Sequence, residues 1–173
     1  MKKKNNWTIT AFILTFILSI LFSTISNVMA ANFNEVVLSI ILVAVICIGI
    51  LFDCIGTSSI TANEATFHSM SSRKVKGAKE AISLIKNSSK ISSICNDVVG
   101  DICGILSGGL GAVLAISLST TTGINNTIIS ILLSAFISSF TVGGKAIFKQ
   151  VAVDNCDAII FTVGKVKSFL HLK

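Results

Sequence analysis

The chain of 173 residues is 52% hydrophobic and 13% charged, with a mean hydropathy of +0.85. A water-soluble domain this short leaves too much surface exposed to hide that apolar content, so an ordinary soluble globule is excluded. The net charge of +6 comes with no Tyr and a single Trp, Trp7, so the aromatics that nucleic-acid binders interleave with their basic residues are missing and no nucleic-acid partner is expected.

All fourteen Lys and Arg fall in three clusters, at residues 2–4, 73–90 and 145–173. Long apolar stretches without a basic residue separate them. That is the pattern of a polytopic membrane protein whose basic segments, C-terminus included, stay on the cytoplasmic side. The expected fold is therefore all-α, a helical bundle of about four spans in the cytoplasmic membrane, each about 20 apolar residues long. Membrane lipid is then the first partner, and the basic residues favour anionic headgroups.

In chain order, the first expected span covers residues 7–28, with Trp7 as an interfacial anchor. Lys2–Lys4 followed by an apolar run and Val28-Met29-Ala30 also reads as a secretory signal, so residues 1–30 are set apart as a first span or signal anchor. The second span covers 36–60, the third 94–119 and the fourth 127–142, leaving short outer loops at 30–35 and 120–126. Between spans two and three, residues 64–93 read as one juxtamembrane amphipathic helix, with Val75, Ala78, Ile82 and Ile85 recurring between Lys74, Lys79 and Lys86. Residues 146–172 form a second amphipathic segment, and 31–173 are taken as one transmembrane domain.

Enzyme chemistry finds no support. There is no GxSxG, HExxH or phosphate-binding loop, and the five cysteines lack zinc spacing. Carboxylates that enter the membrane carry more information, because each needs a partner, a proton or a cation. These are Asp53, Glu64, Asp97 and Asp101. On a regular helix Asp97, Gly100, Asp101, Gly104, Ser107, Gly108 and Gly111 share one small-residue face, opposite Val98, Val99, Ile102, Ile105, Leu106, Leu110 and Val113, a face suited to lipid. Gly100, Gly104 and Gly108 at four-residue spacing let another helix approach closely. Ser58 and Thr61 stand beside the carboxylates of the second span, and such an oxygen-rich set suits a hard cation such as Mg²⁺.

The stretch T-A-N-E-A-T (61–66), then K-G-A-K-E-A-I-S-L-I-K-N (76–87), then V-G-D (99–101) resembles the transmembrane domain of the cyclin M/CorC magnesium-transporter family, whose motifs run S-A-x-E-T-A, G-x-x-A-x-x-L-L-x-N and I-G-N in the same order. The resemblance spans residues 36–165. It implies a homodimer of small bundles, each holding one Mg²⁺ on oxygen ligands, with export coupled to Na⁺. Carried over, Thr61 stands for the family's serine and Glu64 for its glutamate. Gly100 matches its glycine, and Asp101 replaces its asparagine. Two departures stand out. The family's G-E-x-x-P-K reads here Gly144, Lys145, Ala146, Ile147, Phe148, Lys149, which puts a lysine in the glutamate's place. The chain as read also reaches Lys173 without the paired CBS domains of most members. Lys145 is either a built-in counter-charge for Asp101, making the chain a non-transporting structural or regulatory relative, or a side chain that snorkels away and leaves the cation site to the carboxylates.

Overall fold

The computed structural model describes residues 2–171, with side chains for most of residues 13–169. Seven helices and no strand are found among the described residues: α1 (Lys2–Asn32), α2 (Glu35–Thr61), α3 (Glu64–Ser72), α4 (Ala78–Lys86), α5 (Ser88–Thr122), α6 (Asn126–Asp154) and α7 (Cys156–His171). Three of them, α2, α5 and α6, are long and apolar enough to cross a membrane. In α6 the most apolar 18-residue window buries none of its residues inside the protein. A helix that is apolar and unburied has hydrocarbon as its natural solvent. Most of the first expected span, with the Trp7 side chain, lies outside the residues described in full; within it Phe16–Met29 is a shorter apolar stretch.

The chain forms two compact units. The first comprises Met1–Ile46 and Ile102–Phe140. Here α2 begins on Asn34, whose side chain accepts from the Val37 amide at 3.4 Å, and Leu38, Leu42 and Ile46 recur every four residues as its buried stripe. Its first residue, Glu35, accepts from Ser117 Oγ at 2.8 Å and Thr121 Oγ1 at 2.6 Å, tying the start of α2 to the end of α5. Charged acceptors make the stronger hydrogen bonds, and this pair fixes the register of the two helices. Gly123, at φ +72°, supplies the left-handed residue that ends α5. Asn125 then caps α6 by accepting from the Thr127 amide at 2.9 Å.

The buried residues of α5 are Cys103, Ser107, Leu110, Gly111, Leu114 and Ala115. This corrects one expectation from the regular helical wheel. Leu110, assigned to the lipid-facing side, is 1% exposed, whereas Gly104 and Gly108 face open space. The close approaches are made instead by Gly109 against Ser26 and by Gly111 against Ile137.

The second unit comprises Cys47–Asp101 and Thr141–Lys173. The stretch 64–93, expected as one helix, breaks between Ser72 and Ala78, and its last residues already belong to α5. Lys74 takes φ +56° as the left-handed residue after α3; its amide donates to Ser71 O at 3.0 Å and that of Val75 to Met70 O at 3.1 Å. Together these form a Schellman closure. Gly77, at φ +90°, then turns the chain into α4. The last span also differs: the helix expected to end at 142 continues through Gly143 and Gly144 to Asp154, and α7 starts only at Cys156. Nothing local stops it, since the chain has no Pro and Lys145 and Lys149 can bury their stems while keeping their charges at a polar boundary.

In this unit α3, α4 and α7 pack together around Phe67, Ala81 and Ile160, all 0% exposed, and Ala62. Phe161, Met70, Ile82 and Ile85 close the edge of this cluster. Two glycines allow the contact between α4 and α7. A Cβ on Gly164 would lie 2.6 Å from Gly77 O, and one on Gly77 would lie 2.8 Å from the Lys165 amide nitrogen.

Candidate functional site

The second unit also holds the polar residues on which a functional reading rests. Within α5, residues Ile94–Val99 wind as a π helix. The Gly100 amide that closes it is shared between Cys95 O and Asp97 O. Such a turn interrupts the regular i→i−4 hydrogen-bond ladder and recurs at functional sites. Packing holds it in place. Gly56 of α2 lets the Asn96 side chain come against its α-carbon, beside Cys95, where any Cβ would collide with Asn96 Oδ1. That oxygen is buried without a hydrogen-bond partner, while Asn96 Nδ2 donates to Ser92 Oγ at 3.3 Å. A buried acceptor left unpaired costs about 1–3 kcal/mol, so the turn is held at a cost.

Beside the turn lies an open cavity of about 300 Å³ lined by Ile60, Ser88, Ser89, Ser92, Ser93, Asn96 and Asp97. The carboxylate of Asp97 accepts from Ser93 Oγ at 2.7 Å. On the other side of the turn, the Lys145 ammonium of α6 stands 3.7 Å from the position a Cβ on Gly100 would take. Among the described residues no carboxylate forms an ion pair with it. One residue earlier, Gly144 receives the side chain of Ile50 where a Cβ would clash.

The residues singled out from the sequence divide into three groups. Asp97 reaches the cavity, and Gly100 and Lys145 meet. Ser58 is fully buried and donates to Ala152 O at 3.1 Å, so its hydroxyl proton is spent on the last turn of α6. Thr61 is exposed and bonds back to Thr57 O at 3.1 Å and Ser58 O at 3.4 Å. Glu64 opens α3, where its carboxylate meets His68 Nε2 at 3.0 Å and Lys86 Nζ at 3.7 Å. Asp101 is exposed and Asp53 half-buried, and neither forms an ion pair among the described residues. Among those residues, no three His, Cys, Asp or Glu side chains come together as a metal-holding group. Gly104 and Gly108 meet nothing within 4 Å.

The sequence also offered residues that its motifs did not flag. The run Ser88-Ser89-Lys90-Ile91-Ser92-Ser93 puts hydroxyls at i, i+1, i+4 and i+5, hence on one face of a helix, and that periodicity was the available signal. Asn63 caps α3 by accepting from Ala65 N at 3.0 Å, while its own amide donates to Asp157 Oδ1 at 2.9 Å. The T-A-N-E-A-T stretch is thus a joint between helices: Ser58 and Asn63 tether it to the α6–α7 corner at Ala152 and Asp157.

The chain matches no protein-family model and no curated protein, and its structure matches no solved structure.

Proposed function

We propose that this chain is a multi-pass protein of the cytoplasmic membrane that binds and moves Mg²⁺ at the π turn of α5, in the manner of the cyclin M/CorC transmembrane domain it resembles. The reading takes α1, α2, α5 and α6 as four spans, with the basic segments and the C-terminus cytoplasmic. The observation that carries it is the π turn itself, which stands beside a cavity lined by the Asn96 side chain, the Asp97 carboxylate and serine hydroxyls on an otherwise apolar helix. Mg²⁺ keeps several of its waters and takes one or two carboxylates, so a cluster of three acidic side chains is not required. Asp101, one residue past Gly100, supplies the second charge. Na⁺ is the coupling ion the resemblance implies, and the open Gly104–Gly108 face suits the homodimer.

One observation favours a second reading. With its ammonium beside Gly100, Lys145 stands where a cation would be held, and a fixed charge there makes the chain a non-transporting regulatory or structural partner. Mg²⁺ uptake into proteoliposomes separates the two. The first reading expects flux in the wild type and its loss in Asp101→Ala, which removes the side-chain oxygens altogether. Flux that survives the substitution would refute the site, and a folded wild type without flux would favour the second reading.

A further inference from the structure

Two of the three basic clusters, far apart in sequence, meet in the second unit. The Gly77 α-carbon abuts the backbone of Lys165, which brings the turn carrying Arg73, Lys74 and Lys76 against α7. All four basic residues are exposed. Among the described residues none of them has a carboxylate within ion-pair distance, since Glu64 is engaged by His68 and Lys86. The Lys165 ammonium lies over the Phe161 ring, 4.3 Å from its centroid, with its charge still exposed. Apolar side chains accompany these cations on the open surface. Val75 is 37% exposed, Val166 56% and Phe169 78%. On α7, Val166 and Phe169 lie on the side opposite the buried Ile160 and Gly164, and Lys165 flanks the contact with Gly77 with its side chain exposed.

Exposed cations set among exposed apolar groups match a bilayer interface, where phosphates stand above acyl chains. We infer that this α3–α4 turn and α7 form one docking surface for anionic phospholipid headgroups, with Arg73, Lys74, Lys76 and Lys165 on the phosphates and Val166 and Phe169 in the acyl boundary. The inference rests on the membrane reading but not on Mg²⁺ binding. It accounts for Lys74, which occupies a left-handed position better suited to glycine and places its charge on this surface.

The test uses the full chain purified in a neutral detergent. Short-chain phosphatidylglycerol, phosphatidylcholine and glycerol phosphate are titrated in parallel, with thermal unfolding and native mass spectrometry of retained lipid as readouts. The expected result is roughly tenfold stronger retention of phosphatidylglycerol than of phosphatidylcholine, weakened by salt and abolished by Lys74→Gln with Lys76→Gln and Lys165→Gln. Phe169→Ser should weaken phosphatidylglycerol and leave glycerol phosphate unchanged. Equal retention of the two lipids, or a preference that survives the triple substitution, would overturn the inference. Glycerol phosphate reproducing the whole effect would overturn the lipid as its source. The wild-type salt titration tests the same surface without depending on how any variant folds. If the membrane reading itself fails, the chain is recovered without detergent, a result visible before any lipid is added.

Discussion

The Ser58 hydroxyl donates to the Ala152 carbonyl across 3.1 Å, with both residues fully buried and 94 positions apart. Ala152 lies in the last turn of α6, where carbonyls have run out of helical amides. The bond therefore closes one helix with a side chain of another. Ser58→Ala should cost about 1–2 kcal/mol, because it leaves that carbonyl buried and unpaired. Thermal or chemical unfolding in detergent is the check, and a change near zero would show that the bond does not hold the joint.

Lys74 should be replaceable at a gain. A non-glycine residue at φ +56° carries a steric cost that glycine avoids. Lys74→Gly should raise stability by about 1 kcal/mol, while Lys74→Val should lower it. The same denaturation assay reads both.

The contact between α4 and α7 depends on Gly164, whose α-carbon faces Gly77 O and Ala81. Gly164→Val has no room in a closely packed contact and should cost roughly 2–3 kcal/mol. Limited proteolysis should then cut α7 much faster than in the wild type. Unchanged protection would mean that α7 is held by other contacts.

Gly104 and Gly108 give the opposite expectation. Because a Cβ at either position meets nothing, Gly104→Leu should leave the unfolding of the single chain unchanged. If that face joins two copies, the same substitution should dissociate them, which light scattering coupled to size-exclusion chromatography measures directly. A dimer that persists in Gly104→Leu would move the interface elsewhere.

The long apolar helices were legible because run length and charge placement are properties of the chain itself. Glu35, Asn63 and Asn125 also sit where helix starts are read from sequence. The α3–α4 break was half legible: Gly77 marks a turn, but Lys74 in a left-handed conformation follows no compositional rule. The π turn was not legible, because it depends on Gly56 accepting Asn96 from a separate helix. Past the π turn the helix is regular, and its buried stripe runs through Cys103, Ser107, Leu110 and Leu114 beside the Gly104–Gly108 line rather than along it, so taking the small residues as the packing face put Leu110 on the wrong side. Glu64 and Thr61 were found as polar residues at a helix end, but the contacts that engage them, with His68, Lys86 and the preceding turn, belong to folded geometry.

The central claim, that the π turn of α5 binds Mg²⁺, is tested most directly by unfolding the detergent-purified chain against Mg²⁺ from none to millimolar, with Na⁺ at equal ionic strength as control. A ligand held by the native state alone adds about 2.7 kcal/mol at a hundredfold excess over its Kd. The account predicts a Mg²⁺-specific rise in Tm that is lost in Asp101→Ala and enlarged in Lys145→Met, where a competing charge is gone. A wild type indifferent to Mg²⁺ would contradict it, and a rise confined to Lys145→Met would identify the lysine as the chain's own permanent cation.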